Sequence, residues 1–415
     1  MSCLFKLDNP VKNYDWGSPD WIPQFLNMPN KDGQPWAELW MGVHPEGPSL
    51  LATKFPALLA KGGEEAGSLP ELIGRDPSRY LGAKTFSAYG GLPFLFKLLA
   101  AGKPLSIQAH PDLAQAKAGW ARENALGIPI RAPNRNYRDA NHKPELLCAL
   151  TPMIAMAGFR ESGEIIRRLE AFGSPLLGSL KPALLSGGFR GFLDALFALP
   201  AETRQGLSDY ARTRGKSDFP EYAEEWKLCA HFAEIYPGDP ALLAPLYLNL
   251  LHLNPGEAMF IPAGILHAYI HGFGVELMAN SDNVLRGGLT PKHIDLQELK
   301  GILGFEPFKP EILKPQASAQ GLTRYPAPCG EFSLQKLSTK AGAGSTDEAL
   351  AFPVQGPAIV IVAQGEVTLD DGEKLTLKQG ESAFIAATRE APLVLRGSYS
   401  LFIAGTGLDT MEKPR

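Results

Sequence analysis

Cysteine is scarce in this chain: four in 415 residues (Cys3, Cys148, Cys229, Cys329), far apart and with no C-x-x-C pair. That excludes a disulfide framework and a thiolate zinc site, and it fits a reducing compartment. No stretch approaches ~18 uncharged apolar residues, so no transmembrane helix and no membrane partner are predicted. Positive charge is not in excess. Lys and Arg total 40 against 44 Asp and Glu, a net charge of −4, which argues against nucleic acid because backbone binding needs clustered cations. The opening "MSCLFKLDNPVKNYDWG" lacks the basic, apolar, small-residue order of a secretion signal. A soluble, cytoplasmic monomer is expected.

Glycine and proline are abundant, 43 and 36, as in strand-rich architectures with many turns. Residues 1–158 mix short apolar runs with Pro/Gly punctuation, as in "GLPFLFKLLAAGKPLSIQAHPD", and read as strands joined by turns. Between 159 and 248 the texture changes. "SGEIIRRLEAFGSPLLGSLKPALL" and "EYAEEWKLCAHFAEIY" space their apolar residues helically, which predicts a helical domain. Strand texture returns over 249–308, with a short helix at "DLQELKGIL". A loop rich in Pro and small residues, about 309–330, leads into the last part, where "LDDGEKL" predicts a hairpin turn. Two stretches share one grammar, "PGEAMFIPAG" and "KQGESAFIAA". This suggests two related β-barrels, 1–158 with 249–308 and then 309–415, the second without polar site residues.

In "PLSIQAHPD" a strand period of two sends Gln108 and His110 to one side and Ile107 to the other. "PAGILHAY" places a turn just before His267, and "NHKPELLCAL" offers Glu145 at the start of an apolar strand. Gln108, His110, Glu145 and His267 together provide two imidazoles, a carboxylate and an amide oxygen. Zinc accepts such N and O donors while keeping a position for water or substrate; manganese, iron and cobalt accept them too. The spacing resembles the two signatures of cupin barrels: Gly102, five residues, then Gln108-Ala-His110, and later Gly256, Pro262, Gly264 and His267. Gln108 stands where cupins commonly carry the first His. His271 shares strand parity with His267 and Tyr269, yet stays outside the ligand set. His44, His142, His231, His252 and His293 read as ordinary surface or core histidines.

"LPFLFKLLAAGKPLSIQAHPD", "YRDANHKPELLCALT" and "IPAGILHAYIHGFGVELMANSDNVLRGGLTPKHID" resemble the signature segments of type I phosphomannose isomerases, over residues 10 to 300. That resemblance implies a mainly β fold of two cupin-like jelly-roll barrels with an inserted helical domain. It implies an aldose-ketose isomerase that interconverts mannose 6-phosphate and fructose 6-phosphate through an enediol, in mannose catabolism or GDP-mannose biosynthesis. It also implies one Zn2+ per chain on Gln108, His110, Glu145 and His267, and a catalytic arginine at Arg286.

A dianionic sugar phosphate needs local cations in an acidic protein, and Lys97, Lys103, Lys143, Arg286 and Lys292 lie in or beside these segments. Arg286, whose fork suits phosphate or enediolate oxygen, and Lys143, on the parity of Glu145, are read as catalytic. Lys97, Ser106, Lys292 and Asp282 are read as substrate-binding, with Asp282 able to orient Arg286 or to act in proton transfer. Two alternatives stay open: an iron-dependent cupin oxygenase and a non-catalytic sugar-phosphate-binding cupin.

Overall fold

Strands Met153–Phe159 and Leu248–Leu253 pair antiparallel, Met153 opposite Leu253 and Phe159 opposite Leu248, so the segment between them leaves and returns at one place. The computed structural model describes residues 3–52, 67–216, 220–316, 318, 321–339, 350–352, 356–388 and 393–408. Between the paired strands run helices Ser162–Phe172, Leu180–Phe197, Ala201–Arg214 and Ala223–Ile235, as helical spacing predicts. Ile165, Leu169, Phe172, Leu193, Leu207, Trp226 and Phe232 are buried among them. The same apolar cluster takes in Ile107 and Ala109 from "PLSIQAHPD". One face of that strand therefore seals against the helices and turns Gln108 and His110 the other way.

The strands form two sheets, of eleven and nine strands. In the larger one, His267–Ala279 is the pivot. Its second half, Gly272–Ala279, lies between Phe94–Ala101 and Glu145–Ala149. Its first residues pair instead with Ile107–Ala109 and Met153–Phe159, across a register shift between Tyr269 and His271. Such a bulge bends a strand and re-aims its side chains. That is why His271, on the parity of His267, ends on the surface against the edge of the Trp21 ring.

The second sheet contains the long strands Ala358–Asp370 and Leu393–Gly405. Asp370 pairs with Lys374 across the "DDGEK" hairpin. The N-terminal strand Leu4–Asp8 also belongs here, opposite Ser382–Ile385, so the first strand of the described chain is built into the second sheet. The shared grammar is visible too: Ala258–Ile261 and Ser382–Ile385 are four-residue strands entered through Gly256 and Gly380, both with positive φ.

Four helices stand in the region read as strands and turns: Trp21–Phe25, Leu69–Arg75, Pro77–Tyr89 and Leu113–Ala125. The last buries only Ala116, Gly119 and Glu123, too thin an apolar stripe to announce a helix. The legible signals were the capping boxes Ser68 with Glu71 and Asp112 with Gln115. In the 309–330 loop, residues 317, 319 and 320 lie outside the described residues, and the rest includes strands Ile312–Leu313 and Leu322–Tyr325. Among the described residues no helix is long and apolar enough to cross a membrane.

Candidate metal centre

His110 follows the end of strand Ile107–Ala109, Glu145 begins Glu145–Ala149, and His267 begins His267–Ala279. Three neighbouring strand ends thus deliver three ligand types to one point, with all three donor atoms within 4.8 Å of one another. Gln108 sits directly across the ladder from both His267 and Arg286 and lines the adjoining cavity. Gly264 closes the turn before His267. Its φ of +77° suits glycine, a side chain there would press on the Ile302 carbonyl, and its N–H donates to the His110 carbonyl at 2.8 Å.

Each imidazole is oriented from behind. His110 Nδ1 lies 2.7 Å from the Asn283 carbonyl and His267 Nδ1 lies 2.9 Å from that of Ile265. A carbonyl only accepts, so Nδ1 carries the proton in both rings and Nε2 presents a bare lone pair. The two Nε2 atoms are buried with no hydrogen-bond partner. They face Glu145, whose oxygens are 3.1 Å from His110 and 3.2 Å from His267. Lone pairs converging on a carboxylate in a dry site repel unless a cation lies between them. The donor set therefore fits a divalent metal, and its N and O character fits zinc.

The protonation states agree. Burial first, and then the nearby Lys143 charge, bring His110 down to about 4, so it is neutral at pH 7. Burial alone would raise the Glu145 carboxyl, but the Lys143 charge foremost holds it well below the usual carboxylate range. Lys143 Nζ stands 3.0 Å from Glu145, and the Tyr269 hydroxyl donates to the same carboxylate at 3.3 Å.

The centre opens on a cavity of about 580 Å3, a size that suits a small metabolite. Its wall includes the remaining cations and substrate residues singled out in the sequence: Lys97, Lys103, Ser106, Lys143, Asp282, Arg286 and Lys292. Their surroundings differ. Lys97 is buried between Glu276 at 2.9 Å and Glu38 at 3.4 Å; despite burial, the two carboxylates raise its pKa. Asp282 pairs with His44 at 3.3 Å, not with Arg286. Arg286 and Lys292 sit beside Arg138, and none of the three forms an ion pair with a described residue. Burial, then mutual repulsion, lowers the pKa of Arg286 and of Lys292. Three unpaired cations on one wall make an anion site.

Sequence reasoning missed Arg138, Glu38, Glu276 and His44. Arg138 stands three residues before the quoted "NHKPE" and carried a legible signal, another cation in a signature segment. His44 carried none: a buried histidine against the edge of the Trp40 ring reads as core.

The chain is similar to known proteins over nearly its whole length. Residues 4–162 match the model of the phosphomannose isomerase type I catalytic domain. The mannose-6-phosphate isomerase of Escherichia coli (strain K12) is 42% identical over 400 residues, covering 94% of this chain and 97% of that protein. The chain belongs to the type I phosphomannose isomerase family. Mannose-6-phosphate isomerase 1 of Arabidopsis thaliana, another relative, is 32% identical over 428 residues, covering 97% and 94% of the two chains. A crystal structure of a zinc-bound mannose 6-phosphate isomerase superposes with a TM-score of 0.85 at 37% identity, over 98% of this chain and all of that one. A glutamate-to-alanine mutant of phosphomannose isomerase from Salmonella typhimurium gives 0.86 at 36% identity, with the same coverage.

Proposed function

We propose that the protein interconverts mannose 6-phosphate and fructose 6-phosphate, with one Zn2+ held by Gln108, His110, Glu145 and His267. The observation that carries this reading is the pair of partnerless, buried Nε2 atoms converging on Glu145, beside a wall of unpaired cations. The bound zinc would supply Lewis-acid stabilisation of the negative charge that develops on the sugar's carbonyl and hydroxyl oxygens.

The chain's own groups do the rest. Arg286, Arg138 and Lys292 hold the phosphate, and the Arg286 fork, next to Gln108 on the ladder, is placed to share in oxygen charge. Lys143 and Asp282 are the two ionisable groups on the cavity wall that hold or move a proton between neighbouring carbons, at Nζ and at a carboxylate oxygen. Burial alone would raise Asp282, but His44 foremost keeps it below the ordinary carboxylate value, ready to accept. Lys97, tied to two carboxylates, fixes the polar floor. Tyr14, Trp16 and Tyr236 form apolar parts of the wall and limit water.

Both sheets are read as cupin jelly rolls, each with a 13-residue strand broken by a bulge, in His267–Ala279 and in Ala358–Asp370. The first comprises residues 1–158 and 249–308, the helical domain 159–248, and the second 309–415, with Leu4–Asp8 lent to the second sheet. A cytoplasmic monomer that binds no nucleic acid fits the charge balance and the four free, buried cysteines. An oxygenase or a non-catalytic binder would leave the Lys143 and Asp282 arrangement without use.

Metal analysis beside a coupled assay on mannose 6-phosphate tests the proposal. Arg286→Ala is expected to keep one zinc per chain and lose turnover by roughly 100-fold or more, the scale of one removed charge-stabilising group. Metal-loaded protein that converts no mannose 6-phosphate would sink the reading.

A further inference from the structure

A backbone outlier borders the cavity. Leu289 has a φ of +52°, a left-handed value shared among the described non-glycine residues only by Asn27; bulky side chains adopt it only at a cost. Leu289 is nonetheless buried, on the cavity wall, midway between Arg286 and Lys292. Gly288 before it has a φ of +129°, and a side chain there would collide with Ala241. The corner carrying the cations is therefore pressed against the C-terminal end of the helical segment. From that same end, Ile235 and Tyr236 reach the cavity.

Asp239 spans the contact. Its Oδ1 accepts from Ala241 N at 2.8 Å, capping the short 3-10 helix Pro240–Leu243, and its Oδ2 accepts from Thr290 N at 3.3 Å. The Thr290 hydroxyl then accepts from Lys292 N at 3.1 Å, which carries the constraint to the lysine. A carboxylate accepts on both oxygens at once. An amide offers one acceptor and turns an N–H donor toward the second backbone N–H. Asp239 does not line the cavity itself.

We propose that Asp239 is a positioning residue: it holds the Gly288–Thr290 corner in its strained turn, so that Arg286 and Lys292 aim their charges at the phosphate of the substrate. On this view the helical segment sets affinity for the phosphate end while the strands hold the reacting end. The inference rests on the isomerase reading, since the phosphate is the group these cations serve. Strain of this kind persists only where neighbours over-determine it. Released, the corner relaxes and the cations lose their common focus.

The test compares wild type with Asp239→Asn, measuring zinc content, melting temperature, kcat, KM for mannose 6-phosphate, and binding of inorganic phosphate by calorimetry. Zinc content is expected to stay at the wild-type value. KM and the phosphate Kd are expected to rise by roughly tenfold or more, the loss of a hydrogen bond to a charged group. In a Leu289→Gly background the turn carries no strain, so the penalty of Asp239→Asn is expected to shrink. Folded, zinc-loaded Asp239→Asn with unchanged KM and phosphate binding overturns the proposal, and so does a penalty undiminished by the glycine. If Asp239→Asn does not fold, Asp239→Ser, short of Thr290 but able to cap Ala241, is judged by the same criteria. Because phosphate binding is measured without turnover, an inactive wild type would count against the isomerase reading alone.

Discussion

Asp282 meets the cavity with an imidazole behind it. His44 Nδ1 accepts from Glu46 N at 3.2 Å, so the ring proton sits on Nε2, which donates to Asp282 at 3.3 Å. Lys143 and Arg138 also favour the carboxylate, while burial opposes it. His44→Phe keeps the ring volume against Trp40 and removes the donor. The Asp282 pKa then rises, and activity that needs the carboxylate fails at a higher pH as pH falls. The acid limb of kcat/KM is expected to move up by roughly one pH unit, read from a pH–rate profile. An unmoved limb would show that Asp282 does not govern it. The meeting of His110, Glu145 and His267 was legible at this scale, because strand period and donor type are local properties. His44 was not, since its partner lies far along the chain.

At the scale of elements, the centre depends on how strand ends are aligned. Gly264 joins Ala258–Ile261 to His267–Ala279 while its N–H ties down the His110 carbonyl. Gly264→Ala forces a side chain into a left-handed turn 3.0 Å from the Ile302 carbonyl, at a cost of about 1–2 kcal/mol. Zinc affinity is expected to fall roughly tenfold or more, since supports of metal ligands carry that weight, with the far sheet unaffected. Competition against a zinc indicator measures this, and wild-type affinity would refute it. The turn and both flanking strands were readable from "PGEAMFIPAGILHAY". The bulge that expels His271 was not, because bulges answer to the partner strand's register.

For the whole molecule, metal and fold are linked. Three strands of the eleven-stranded sheet and two bare imidazoles meet at the centre, so a bound cation stabilises the native state by mass action, about 2.7 kcal/mol at 100 times its Kd. Chelation is expected to lower the melting temperature by several degrees and added zinc to restore it, as scanning calorimetry would record. A melting temperature indifferent to chelator would mean that the metal does not bind at this junction. His110 adds a pH dependence. Its folded pKa of about 4 lies below the ordinary ~6.5. The unfolded chain therefore binds more protons between those values, and stability falls as pH drops through that window.

By itself the sequence determined what short-range physics can decide: strands by a period of two, helices over 159–248 by their spacing, and donors delivered at strand ends. Those properties arise within a few residues, and they survive in any fold that keeps the strands. Tertiary structure alone decided the rest. It settled that Leu4–Asp8 pairs with Ser382–Ile385, that Lys97 is bound to Glu38 and Glu276, and that Asp239 reaches across to Thr290. Each of these contacts joins residues far apart in the chain, whose pairing depends on the packing of whole sheets and helices and leaves no local pattern to read.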